Sequence, residues 1–126
     1  MQKYTGVHIV LDIFGCVYEQ LENQTYLVSV MEKLTDVLGT NVIVETCHKF
    51  SPQGISMVLI ISASHITVHT WPEDHYVGID IFTCEDTDYN VEQIEKYFKE
   101  KLICAIKKDL LSSEFNRKSI LAPVLL

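Results

Sequence analysis

Between Ser62 and Glu73 the chain reads SASHITVHTWPE, which sets two serines, two histidines, a tryptophan and a carboxylate within twelve residues. Such side chains suit two kinds of chemistry. Imidazoles can bind a metal, and an imidazole can activate a hydroxyl or thiol nucleophile. His65 and His69 stand four apart, a spacing that shares a face usefully on a helix. The local pattern is that of a strand, however, where four residues span about 13 Å, too far for one ion. No third ligand is positioned by motif, so no metal is expected. Cys84 with His69 forms a conceivable thiol–imidazole pair. Nothing in the sequence supplies an orienting third group or an elbow-type turn. On residue types alone Cys84 reads as an ordinary buried thiol, Trp71 and Phe50 as packing residues, and Pro72 as the end of a strand.

The elements that must position these groups are legible from periodicity. GVHIVLDIF alternates, with Val7, Ile9, Leu11 and Ile13 on one side and His8, Val10, Asp12 and Phe14 on the other, which predicts a strand with one aliphatic and one mixed face. From Asn23 to Leu38 the period becomes helical through Leu27, Val30, Met31, Leu34, Val37 and Leu38, and Gly39 stands where a helix C-terminus favours glycine. NVIVETCHKF, ISMVLIIS, HITVHTW and YVGIDIFTC read as four further strands, the first two parted by the turn SPQG. Asn90, with Gln93 three residues on in a capping-box arrangement, opens a second helix. Its apolar stripe is Val91, Ile94, Phe98, Leu102, Ala105 and Ile106. SILAPVLL near the end suggests a short strand or a loosely packed tail.

The predicted order is α+β: a two-layer sandwich with two helices on one face of a mainly antiparallel sheet. Parity adds more. Ile66, Val68 and Thr70 share one face of their strand, and His65, Thr67, His69 and Trp71 the other. In the next strand Val77, Ile79 and Ile81 oppose Tyr76, Gly78, Asp80, Phe82 and Cys84. The aliphatic faces belong beneath the helices. The second faces are polar and aromatic, and too apolar in part to face water alone, which marks a site, an interface or both.

Composition bounds the answer. With 126 residues, 48% of them hydrophobic, the chain is the size of one domain with its own core. Apolar runs reach about half a dozen residues, far short of the roughly 20 that span a bilayer, and no signal-peptide pattern opens the chain. Cys16, Cys47, Cys84 and Cys104 are scattered and read as free thiols of a cytoplasmic protein. A formal charge of −7 disfavours a nucleic-acid surface and is compatible with a cationic small substrate, although acidity also simply keeps domains soluble.

SASHITVHTWPE followed by YVGIDIFTC, with GVHIVLDIFGC and CHKFSPQGIS upstream, resembles the prokaryotic S-adenosylmethionine decarboxylase family. The likeness runs from about Thr5 to Cys84 in order and extends more weakly into the final helix. Members of that family are small self-cleaving enzymes of polyamine synthesis. In them a serine hydroxyl attacks the carbonyl before it, and elimination from the resulting ester splits the chain and leaves a pyruvoyl group. The resemblance implies that Ser64 is that serine, so that one domain, residues 1–126, is cut between Ala63 and Ser64 into 1–63 and 64–126. The ketone forms a Schiff base with the substrate amine and serves as the electron sink for loss of carbon dioxide, in place of pyridoxal phosphate. By the same likeness His69 assists self-cleavage as a base, Ser56 also helps processing, and Cys84 returns a proton to the substrate carbon. Phe50 and Glu73 match positions near the adenine and ribose, and Trp71 shapes the pocket wall. The family forms homodimers whose sheets face each other with sites between them, which would account for the mixed faces.

Three positions depart from the family pattern. Ala63 replaces a common glutamate, Met57 follows Ser56 where glycine is usual and adds bulk near the processing region, and Glu85 follows Cys84 where glycine is also common. These leave arginine or ornithine as alternative substrates, and a non-cleaving regulatory homologue as an alternative of another class.

Overall fold

A computed structural model describes residues 4–62, 64–83, 91–102, 119–120 and 124–125. Ala63, Cys84, Glu85, Asn90, Cys104, Ala105 and Ile106, all assigned above, lie outside the described residues. Along the chain run β1 (Tyr4–Phe14), α1 (Tyr18–Leu21), α2 (Gln24–Leu38), β2 (Val42–Lys49), β3 (Ile55–Ile61), β4 (Ser64–Trp71), a 3-10 turn (Pro72–Asp74), β5 (Tyr76–Thr83) and α3 (Val91–Lys101). Two short strands follow, β6 (Ser119–Ile120) and β7 (Val124–Leu125). The sheet order is β2-β3-β4-β5-β1-β6, with β7 also paired to β1, and every pairing is antiparallel.

The expected α+β sandwich is therefore present, and its long helix ends as the sequence suggests. Asn23 caps α2 by accepting from the Tyr26 amide at 3.0 Å, and Gly39 closes it at φ 71°, a left-handed conformation suited to glycine. Two short elements, α1 and the 3-10 turn, have no counterpart in the sequence reading. The four-residue α1 is too short to show a helical period, and its N-cap, Val17, offers no capping side chain.

One face of the sheet carries the core. Ile9, Leu11 and Ile13 of β1, Ile55, Met57, Leu59 and Ile61 of β3, Ile66 and Val68 of β4, and Val77, Ile79 and Ile81 of β5 are all buried. Leu27, Val30, Met31, Leu34 and Leu38 of α2 and Ile94, Phe98 and Leu102 around α3 cover them. The helices are tied together by two phenols. Tyr97 Oη donates to the Val30 carbonyl at 2.5 Å, and Tyr26 Oη donates to the Lys101 carbonyl. Burial first, then the neighbouring Tyr26 and Asp36, push the Tyr97 hydroxyl up to about 12.

The register fixes what occupies the opposite face, which none of the described helices covers. Across β1, β5, β4 and β3 run the rows His8–Phe82–His65–Ile60, Val10–Asp80–Thr67–Val58 and Asp12–Gly78–His69–Ser56. The last row is Phe14–Tyr76–Trp71. This is the mixed surface predicted from alternation. No helix among the described residues is long and apolar enough to cross a membrane.

Candidate active site

At one end of β4 the open face folds into a cleft of about 330 Å³. Phe50, Gln53, Gly54, Ser56, His69, Thr70, Trp71 and Glu73 line it. Five of these, namely Phe50, Ser56, His69, Trp71 and Glu73, were singled out from the sequence. Ser56 and His69 are cross-strand partners on β3 and β4, and Ser56 Oγ lies 2.6 Å from His69 Nδ1. A hydroxyl and an imidazole this close can share a proton. Beyond them Trp71, 40% exposed, and Phe50, 48% exposed, offer aromatic surface. Glu73 rides on the 3-10 turn that Pro72 starts directly after β4.

The Phe50 wall is built by contacts that sequence reading did not supply. Residues 50–54 join β2 to β3, with a cis peptide between Ser51 and Pro52. The Phe50 amide donates to the Gly54 carbonyl at 2.8 Å and closes this loop. Gly54 sits at φ 105°, and a side chain there would be strained. From below, Glu22 Oε1 accepts from the Gly54 amide at 2.5 Å, and Tyr18 Oη donates to Gln53 Oε1 at 3.0 Å. Lys49 Nζ donates to the Glu22 carbonyl at 3.0 Å and lies 3.5 Å from its carboxylate. So α1 and its turn into α2 act as a bracket for the loop. The buried Thr70 hydroxyl completes the attachment by donating to the Leu21 carbonyl at 3.1 Å and accepting from the Ile55 amide at 2.9 Å.

Ser64 is not in the cleft. It begins β4, paired with Ile61 across residues 62–63, and it falls in the alternation of Ile66, Val68 and Thr70 rather than that of His69. Five strand residues separate it from His69, about 16 Å at the rise of a β-strand. Ser64 and His69 of one chain therefore do not meet in this arrangement. Met57 needs a correction too: it is fully buried on the helix side, paired with Val68 and Cys47, so its bulk fills the core and not the space beside Ser56. His65 stacks on Phe82 at 5.5 Å, two rows from His69. Among the described residues no three His, Cys, Asp or Glu side chains cluster as a metal would need. Cys16 and Cys47 are free thiols, and burial, followed by the nearby Glu45 charge, raises the Cys47 thiol.

Comparison with known proteins is consistent with this geometry. Residues 7–109 match the family model described as S-adenosylmethionine decarboxylase. The chain is 54% identical over 101 residues to the S-adenosylmethionine decarboxylase proenzyme of Clostridium botulinum (strain Loch Maree / Type A3), covering 80% of this chain and 86% of that one. It is 39% identical over 103 residues to the proenzyme of the same name from Methanococcus maripaludis (strain DSM 14266), covering 77% and 82%. The crystal structure of the adenosylmethionine decarboxylase from Aquifex aeolicus superposes with a TM-score of 0.77 at 22% identity, over 98% of this chain and 94% of that one, which is a likeness of fold. With the family model spanning most of the chain and a relative 54% identical over 80% of it, the protein belongs to the S-adenosylmethionine decarboxylase family.

Proposed function

We propose that this chain is a pyruvoyl-dependent decarboxylase of S-adenosylmethionine, supplying aminopropyl groups for polyamine synthesis in the cytoplasm, and that it matures by cutting itself between Ala63 and Ser64. The observation that carries the reading is the cleft itself, in which the close Ser56–His69 pair stands beside two aromatic walls and a carboxylate. Phe50 and Trp71 suit a planar base, and Glu73 can accept hydrogen bonds from ribose hydroxyls. Arginine and ornithine have no such base, which favours the adenosyl substrate over them.

Ser64 fits the demands of a group grown from the chain. Only residues 62–63 separate the paired Ile61 and Ser64, so the bond to be cut falls in sequence where β3 gives way to β4. In the maturation step the Ser64 hydroxyl adds to the Ala63 carbonyl carbon, and the Ala63–Ser64 amide gives way to an ester. His69, paired with Ser56, takes up the hydroxyl proton and returns it to the freed Ser64 nitrogen. Loss of the Ser64 Cα proton then expels the Ala63 carboxylate, and water replaces the nitrogen, which leaves as ammonia, to give the ketone. Once formed, the pyruvoyl group supplies the electron sink for decarboxylation. Cys84 returns a proton to the substrate carbon, while Phe50, Trp71 and Glu73 bind and orient the nucleoside.

The active form is a homodimer with shared sites. Support comes from the separation of about 16 Å between Ser64 and His69 along β4, and from the face that bears His69 and Trp71, which none of the described helices covers. Two sheets facing each other can bring one chain's Ser64 to the partner's cleft.

Intact mass and denaturing electrophoresis of the purified protein test the maturation. Two fragments of 63 residues are expected from the wild type, the second blocked at its N-terminus, and one uncut, inactive chain from Ser64→Ala. Carbon dioxide release from S-adenosylmethionine, arginine and ornithine, measured separately, tests the substrate. A wild-type chain that stays whole, or that releases gas from arginine or ornithine alone, overturns the reading.

A further inference from the structure

Behind Trp71 lies a second layer that does not line the cleft. Tyr76, its cross-strand partner on β5, stacks on the Trp71 ring at 5.1 Å and 23°. On its other side Tyr76 stacks on Phe14 of β1 at 4.9 Å and 21°. The phenol runs along the sheet over Gly78, where an added Cβ would stand 3.0 Å from the Tyr76 oxygen and 3.8 Å from Trp71 Cζ3. At the end of this path Tyr76 Oη donates to Asp12 Oδ1 at 2.5 Å. Asp12 is 3% exposed, an acidic residue held almost wholly out of water on the face that carries the site.

A buried carboxyl in a hydrogen bond costs desolvation and gives direction in return. The direction here is that of the Tyr76 ring, and hence of the Trp71 ring lying on it. The bond adds direction to the stacking, which by itself tolerates a range of offsets.

We infer that Asp12 and Tyr76 are positioning residues that set the plane of Trp71, and through it the affinity for a purine base in the cleft. Gly78 leaves the room in which the Tyr76 phenol crosses to Asp12. This inference rests on the proposed binding of an adenosyl substrate. It adds two residues that touch no substrate and act on binding rather than on the chemical step.

Trp71 is the only tryptophan in the chain, so intrinsic fluorescence reads its surroundings directly. The decisive variant is Tyr76→Phe, which keeps both stacking contacts and removes one hydroxyl. Its KM for S-adenosylmethionine should rise about 10-fold with kcat within twofold of wild type, the signature of lost binding rather than lost chemistry. The Trp71 emission should become more accessible to iodide, and its quenching by 5′-methylthioadenosine should need about 10-fold more ligand. Asp12→Ala, which removes the acceptor, should behave alike, and the double variant should be no worse than either single one, because both break the same link. Tyr76→Phe with wild-type KM and wild-type quenching overturns the inference, as does a fall in kcat at unchanged KM. Failure of the wild type itself to turn over S-adenosylmethionine, or to respond to the nucleoside, instead overturns the proposed function.

Discussion

The two ends of β4 are built differently. At the Trp71 end nearly every group is braced. Thr70 bridges Leu21 and Ile55, His69 meets Ser56, Trp71 lies on Tyr76, and α1 brackets the neighbouring loop. At the other end Ser64 follows directly on a two-residue connection, beside the bond proposed to break. A recognition surface gains from being rigid before its ligand arrives, since ordering then costs nothing on binding. A bond that must be attacked from one side and then part needs room to change shape. On the proposed function the contrast divides labour along one strand, with recognition at the held Trp71 end and reaction at the Ser64 end.

Mixing protomers gives the sharpest way to break this division. Ser64→Ala and His69→Ala should each be inactive alone, with His69→Ala slowing self-cleavage by about 10²- to 10⁴-fold as a lost acid–base group would. Co-expressed, they should restore roughly one quarter of wild-type decarboxylation, since half of randomly paired dimers hold one whole shared site. Activity assays on tagged, co-purified mixtures decide it, and no recovery at all would place both groups in one chain's site. A middle-sized effect should come from the braced end. Thr70→Val keeps shape but strands a buried carbonyl and amide, and should cost about 2–3 kcal/mol. Urea unfolding in the uncut Ser64→Ala background, where a single chain can unfold as one unit, measures it.

The smallest effect belongs to neither end. Glu45 on β2 hydrogen-bonds Glu32 of α2, and its carboxyl is raised above the ordinary value of 4.5, first by burial and then by Glu32. A raised carboxyl favours the fold while protonated, so that contribution is lost as pH rises through its folded value. Glu45→Gln should therefore stabilise at neutral pH by about 0.5 kcal/mol or less, given its exposure, and the gain should vanish near pH 4. Activity should not change.

Sequence alone went furthest where alternation governs. The strands and the covered face followed from parity; of the cleft residues, parity gave the shared face of His69 and Trp71, while Phe50, Ser56 and Glu73 came from the family resemblance. Ser56 and His69 converge because β3 and β4 pair in register, Trp71 follows on the same face of β4, and Phe50 and Glu73 are brought in by the connections after β2 and β4. Contacts between distant segments were not legible. Nothing near Glu22 announces that its carboxylate caps the Gly54 amide, and nothing near Asp12 announces Tyr76, because those bonds span 32 and 64 residues. Met57 misled for a related reason, since adjacency to Ser56 in sequence means opposite sides of a strand.

The strand order has one more consequence. Cut at the proposed bond, the first piece would own β1, β2 and β3, and the second β4, β5, β6 and β7. Read across the sheet β2-β3-β4-β5-β1-β6, ownership runs first, first, second, second, first, second. Neither half then holds a sheet of its own. The second piece is wedged between β3 and β1, and the first piece's α2 is clamped to the second's α3 through Tyr97 and Tyr26. Matured by the proposed cut, the protomer would be an interlaced pair of chains, separable by denaturant but not by the scission itself. If the proposed cut is made, a peptide bond is given up for a reactive group while the architecture that holds it carries across the break.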